Sequence, residues 1–75
     1  MPRYFISLID GDVMDDEDGR EVPDLEGARR LALKAAGEIV ADEMAQGREN
    51  IRLTLIVEDE ARERLLELPV VVTAG

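Results

Sequence analysis

Residues 24–46 read DLEGARRLALKAAGEIVADEMAQ, and no other long segment of the chain has a helical period. Asp24 can accept a hydrogen bond from the free amides of a first helical turn, and Pro23 cannot continue a helix backward, so a helix is predicted to begin here. Gly47 follows the last periodic residue and predicts where the helix ends. Apolar segments lie on both sides of this helix, and they need one of its faces to form a core.

The predicted helix has one face built mostly from alanine. Apolar residues recur along it at three- and four-residue steps, at Ala28, Leu31, Ala32, Ala35 and Ile39. Because alanine is small, this face can lie close to a sheet of larger aliphatic side chains. A second apolar row, called the helix stripe below, makes the apolar arc wider than one sheet contact requires; its members are Leu33, Gly37, Val40 and Met44.

Two segments alternate as strands do. In residues 3–10, RYFISLID, one face carries Tyr4, Ile6 and Leu8 and the other carries Phe5, Ser7 and Ile9. Residues 51–59, IRLTLIVED, alternate almost regularly between apolar and polar side chains.

The segment that follows, residues 58–68, is ambiguous. Its residues are good helix formers, but Leu66, Leu68 and Val70 alternate with their neighbours and Pro69 forbids a helix through it. The alternation favours a hairpin that turns near residues 60–63.

The connection between the first strand and the helix is acidic. Residues 12–19, DVMDDEDG, are predicted to form a loop, because four consecutive acids repel one another and Gly19 suits a positive φ. Residues 20–22 are predicted to form a short edge strand.

These elements predict one α+β domain over residues 1–75. The chain would be ββαββ, with a four-stranded antiparallel sheet in the order 2-1-3-4 and one helix packed on one face. The predicted core consists of Tyr4, Ile6, Leu8, Leu53, Leu55, Ala28, Ala32, Ala35 and Ile39.

Composition excludes several classes of function. The 75 residues include no Cys and no His, which removes thiolate metal sites and the commonest general base. The net charge is −9, from 18 acidic and 9 basic residues, so the electrostatic field of the protein repels nucleic acids and anionic membranes. No stretch approaches the ~20 apolar residues of a membrane span. We expect a cytoplasmic protein that uses no cofactor.

Several segments together resemble a family of very small bacterial proteins known only as a domain of unknown function. The resemblance lies in the opening MPRYFISLIDG, the D-x-x-G-x-E-x-P-D-L run over residues 16–25, the Ala-rich helix, and VEDE followed by LLELP. It implies a lone short domain with a closing hairpin, and it implies no activity. Typical members have His where this chain has Ser7 and Ile9.

No constellation of residues predicts catalysis, so we expect no enzyme and no catalytic residue. Paired carboxylates such as Asp10 and Asp24 lack a neighbouring nucleophile or a set of oxyanion donors. The acidic loop, residues 10–24, suggests an alternative function as a responder to a divalent cation or small ligand. It fails the spacing of the helix-loop-helix calcium site, because Met14 stands at the first ligand position and Leu25 at the twelfth. We therefore predict no metal ligands.

Surplus apolar surface predicts self-association instead. If Tyr4, Ile6 and Leu8 face the helix, then Phe5, Ile9, Ile56 and Leu65 share the other face of the sheet, where the chain has no second helix to cover them. Leu33, Val40 and Met44 of the helix stripe are similarly surplus. We expect an interaction module that forms a homodimer, with an unknown protein as a further possible partner, and we favour the sheet face because Phe5 is its only large aromatic anchor.

Overall fold

The structure is a computed structural model, and it describes residues 2–10, 12–15 and 19–74. Its elements are the strands β1 (Arg3–Asp10), β2 (Asp12–Asp15) and β3 (Arg20–Glu21), the helix α1 (Leu25–Ala45), and the strands β4 (Asn50–Glu58) and β5 (Arg64–Thr73). The helix therefore separates a group of N-terminal strands from a C-terminal hairpin.

The strands form one antiparallel sheet in the order β2-β1-β4-β5, with β3 also paired to β1. The two most apolar strands, β1 and β4, lie side by side in the middle. Leu8 pairs with Leu55, and Leu55 pairs with Leu68, so these leucines form one row under the helix. The predicted α+β fold, its ββαββ order and its strand order are confirmed.

The ends of α1 are the predicted ones. The Asp24 carboxylate accepts a hydrogen bond from the Gly27 amide at 2.9 Å, which satisfies one free donor of the first turn. At the other end Gly47 takes a φ of +94°, and its amide donates to the Met44 carbonyl at 3.0 Å. A positive φ is far easier for glycine than for other residues, so the helix stops here.

The core lies between α1 and one face of the sheet, and it contains Tyr4, Ile6, Leu8, Ala28, Ala32, Ala36, Ile51, Leu53, Leu55 and Val57. The prediction placed Ala35 and Ile39 in this core, but both are only partly buried at its margin, and Ala36 is buried instead. The buried alanines follow four-residue steps, a row that is inclined to the helix axis. The helix therefore meets the sheet along that inclined row.

The predicted hairpin between β4 and β5 is confirmed, and Asp59 organises its turn. The carboxylate of Asp59 accepts hydrogen bonds from the amides of Ala61 and Glu63, each at 2.9 Å. The Arg62 amide donates to the Asp59 carbonyl at 2.9 Å, and Arg62 has a φ of 63°. These local bonds explain why a segment of good helix formers turns back as a hairpin.

The prediction of a loop over residues 12–19 is wrong in part. Residues 12–15 form β2, which pairs with β1 from Ser7 opposite Asp15 to Asp10 opposite Asp12. Pairing gives hydrogen-bond partners to the outer edge of β1, and this gain outweighs the repulsion between acids. Residues 16–18 of the acidic run lie outside the described residues. The predicted short strand is observed as β3, and the Val22 amide donates to the Pro2 carbonyl at 3.2 Å.

Gly19 enters β3 with a φ of +73°, as its predicted corner requires. A Cβ atom at this position would lie 2.9 Å from Arg3 Cγ and 3.0 Å from the Tyr4 carbonyl oxygen. A larger residue would therefore suffer both backbone strain and a close contact with β1.

Leu55 is fully buried, so the Leu55→Ala substitution should destabilise the protein by ~2–5 kcal/mol through lost burial and an unfilled cavity. Denaturant melts measure this loss. Leu33→Ala removes the same atoms from an exposed helix position and should change stability by less than ~0.5 kcal/mol. Equal losses for the two variants would show that Leu55 does not lie in the core.

Candidate functional site

The face of the sheet opposite α1 is the candidate site, and we call it the open face. Paired residues on neighbouring strands share a face, so the register fixes its members on the three long strands. Its uncharged members are Phe5, Ser7, Ile9, Asn50, Thr54, Ile56, Leu65, Pro69, Val71 and Thr73. No helix of the described residues packs on it.

The predicted sheet-face residues share this face of the sheet, but they differ in exposure. Phe5 and Ile9 are half-buried, Ile56 is buried by its neighbours, and Leu65 is 39% exposed. Among the large hydrophobic residues of the part of the chain that the structure describes, Val71 is the most exposed, at 62%. The apolar surface offered to solvent therefore lies chiefly along β5.

Phe5 is partly covered by its own chain. The guanidinium of Arg62 lies over its ring, 4.2 Å from the ring centroid, as in a cation–π contact. Arg62 also pairs with Glu58 at 3.3 Å, which holds the guanidinium in place. Phe5 is therefore less available as an anchor than its type suggests, because a partner would have to displace Arg62 to reach that side of the ring.

The open face of β4 and β5 is balanced in charge. It carries Arg52 and Glu58 on β4 and Arg64 and Glu67 on β5. Arg64 Nη1 lies 3.4 Å from Glu67 Oε2, and both side chains are more than half exposed. The net charge of −9 is therefore not concentrated on this surface.

The helix stripe divides into two parts. Leu33 and Met44 are exposed, whereas Val40 packs against the margin of the core and is surplus only in part. Gly37 has open space around it. The stripe therefore offers a narrower apolar surface than predicted, with two separated large side chains.

The acidic loop, residues 10–24, lies partly outside the described residues. In the part of the chain that the structure describes, no group of three or more Asp or Glu residues is arranged to hold a metal ion. The alternative function as a cation responder remains a prediction from sequence.

Asp10 instead faces Glu43, which lies in the last turn of α1. The side chain of Glu43 is 13% exposed, and its Oε2 atom is buried without a hydrogen-bond partner among the described residues. Two ionised carboxylates cannot bond, but a protonated one can donate to the other. A hydrogen bond between the protonated Glu43 carboxyl and Asp10 is the main cause that raises the pKa of Glu43 above its ordinary 4.5, and burial is the second cause. Arg48, 3.6 Å away, opposes the change.

A shallow cleft of about 350 Å³ lies where the start of β1 meets the β4–β5 turn. Two of its carboxylates take part in the fold, because Glu60 accepts a hydrogen bond from the Arg3 amide at 3.0 Å and Asp59 holds the turn.

The model of the domain of unknown function DUF6894 matches residues 3–71, nearly the whole chain. The chain belongs to this family. No curated protein and no solved structure matches it. None of its described helices is long and apolar enough to cross a membrane.

Three features of the open face were missed from the sequence. Extending the alternation of β5 beyond Val70 would have placed Val71 on the same face as Leu65. In the sequence Arg52 is only one of the polar residues that alternate along β4. The contact of Arg62 with Phe5 depends on the geometry of the turn, which no pattern of residue types indicates.

The pair of Asp10 and Glu43 makes stability depend on pH. A raised pKa means that the folded state holds the proton of Glu43 more tightly than the unfolded state does. Protonation of Glu43 therefore stabilises the fold fully below about pH 4.5, and this stabilisation is lost as the pH rises through the raised pKa. Glu43→Gln keeps a donor towards Asp10 without a charge. We expect it to stabilise the protein at pH 7 and to lose this advantage at pH 4, as measured by thermal melts.

Glu38→Gln is the matched control, because Glu38 is an exposed residue of the same helix. As a surface substitution it should change stability by less than ~0.5 kcal/mol. A Glu43→Gln effect that is independent of pH would contradict the assignment.

Proposed function

We propose that this protein is a non-enzymatic interaction module that self-associates as a homodimer through the open face. The main support for the proposal is that no described element covers the face opposite α1, although that face carries Leu65, Pro69 and Val71 in exposed positions. Large uncovered apolar patches are typical of interfaces.

The size of the domain supports the same proposal. A chain of 75 residues buries only ~60% of the surface that it exposes when unfolded, so its core is small. A second copy on the open face would turn a one-sided sheet into the middle layer of a larger core. Closed twofold pairing is the commonest symmetry among soluble oligomers.

Charge also favours the open face over other surfaces. Two chains of −9 repel each other, so they can approach only where charge is low or balanced. The open face of β4 and β5 meets this condition, since its two arginines balance its two glutamates. The same net charge opposes binding to nucleic acids and to anionic membranes.

Leu65 and Leu33 allow a matched test of the face against the helix stripe. Both are leucines with 39% exposure, one on the open face and one on the helix stripe. We expect the wild type to sediment as a dimer at tens of micromolar. Leu65→Ser should weaken the dimer by about tenfold or more, because each copy loses a leucine contact worth ~1.5 kcal/mol or more.

Leu33→Ser should leave the dissociation constant unchanged, and circular dichroism should show that both variants are folded. A folded wild-type monomer would overturn the proposal. Dissociation by Leu33→Ser alone would move the interface to the helix stripe.

A further inference from the structure

Arg52 has an unusual position on the open face. It is exposed beside Val71, and its side chain has no ion pair or hydrogen bond within the described residues. Among the basic residues that the structure describes, Lys34 on the helix is the other one whose side chain has no ion pair or hydrogen bond. A guanidinium on an apolar sheet face is placed to meet a carboxylate, which accepts its hydrogen bonds strongly.

The carboxylates of the same face lie at the opposite end of the strands. Glu67 pairs with Ile56, which is four residues along β4 from Arg52, or ~14 Å at ~3.4 Å per residue. Arg52 therefore cannot reach Glu67 within one copy. The row formed by Thr54 and Pro69 lies midway between them. Arg52 thus lies at one end of the open face, and Glu58 and Glu67 lie towards the other end, together with Arg62 and Arg64.

This arrangement distinguishes the two ways in which twofold-related faces can stack. If the strands of both copies run in the same direction, equal rows lie opposite each other, and Arg52 lies opposite the row that holds the partner's Arg52. If the strand direction is reversed, the Arg52 end of each copy lies over the end of the other copy that carries Glu67. Like charges in contact are destabilising and opposite charges steer recognition, so the reversed arrangement is favoured.

A twofold axis that crosses the strands above Thr54 and Pro69 gives a specific contact. It places the partner's Glu67 over Val71, one strand away from Arg52. Neighbouring strands are ~4.8 Å apart and packed sheets ~10 Å apart, a separation that an Arg and a Glu side chain can span together. The pair that Glu67 forms with Arg64 competes weakly, since both side chains are more than half exposed.

The area of the open face requires that both of its ends take part. Strands of 8 to 10 residues at ~3.3 Å per residue, stacked at ~4.8 Å, give a face on the order of 500 Å². Stable interfaces usually bury ~800 Å² of accessible surface per partner. Two copies must therefore overlap almost completely, which brings the charged ends into the contact.

We infer that the partner on the open face is a second copy with reversed strand direction, held in register by Arg52 of each copy against Glu67 of the other. This inference rests on the dimer proposed above and adds its orientation and its two specificity-determining residues. The contact is made twice, once on each side of the axis.

Charge reversal tests the register by sedimentation equilibrium. Arg52→Glu and Glu67→Arg should each raise the dissociation constant by about tenfold or more, and the double variant should return it to within about threefold of wild type. Lys34→Glu and Glu38→Arg change the net charge by the same amounts at exposed helix positions and should have little effect. Thermal melts should show that all five variants fold.

Mixing the two single variants gives an independent readout. In the mixed dimer one contact keeps the native pair and the other carries the reversed pair, so an equimolar mixture should associate more tightly than either variant alone. A wild-type dimer that is insensitive to both substitutions, or a double variant and a mixture that show no recovery, would overturn the register and leave the dimer standing. A monomeric wild type would overturn both.

Discussion

One helix can cover only one face of a sheet, and most of this structure follows from that constraint. The close contact of Ala28, Ala32 and Ala36 with β1 and β4 decides which face is covered. Because strand side chains alternate, every residue that turns towards α1 leaves its neighbours on the open face. The alanine row thus fixes both the core and the candidate interaction surface.

Features set by local chemistry could be predicted from the sequence. Asp24 and Gly47 mark the ends of α1 because their capping roles depend only on neighbouring residues. The alternation in β1 and β4 predicted the face of Tyr4 and Phe5 correctly. The position of the helix on the sheet was less predictable, since Ala35 and Ala36 differ little in sequence and the tilt of the helix selects between them. Likewise, β2 forms because β1 offers an edge, which residue types alone do not reveal.

The candidate site could be predicted only in part, for a related reason. The pattern placed Phe5, Ile9, Ile56 and Leu65 on one face, but it could not show that Ile56 is already buried by its neighbours. Nor could it show that the Asp59 turn brings Arg62 over Phe5. Asp10 and Glu43 lie at the end of a strand and the end of a helix, so their contact forms only when these two elements pack together. Each of these features depends on contacts between residues distant in sequence.

The outer edge of β5 is a further surface through which copies could join, and Pro69 argues against it. The Ala74 amide donates to the Glu49 carbonyl at 2.8 Å, so these two residues form a hydrogen-bonded pair. Such pairs alternate along an antiparallel ladder, so the even-numbered residues of β5 bond to β4 and the odd-numbered ones turn their backbone groups outward. Pro69 occupies an outward position, where its missing N–H costs no bond to β4. The same missing donor interrupts the free edge in the middle of the strand, and such edges resist the addition of another strand. Association through the open face remains compatible with Pro69, because it depends on side chains and needs no backbone donor.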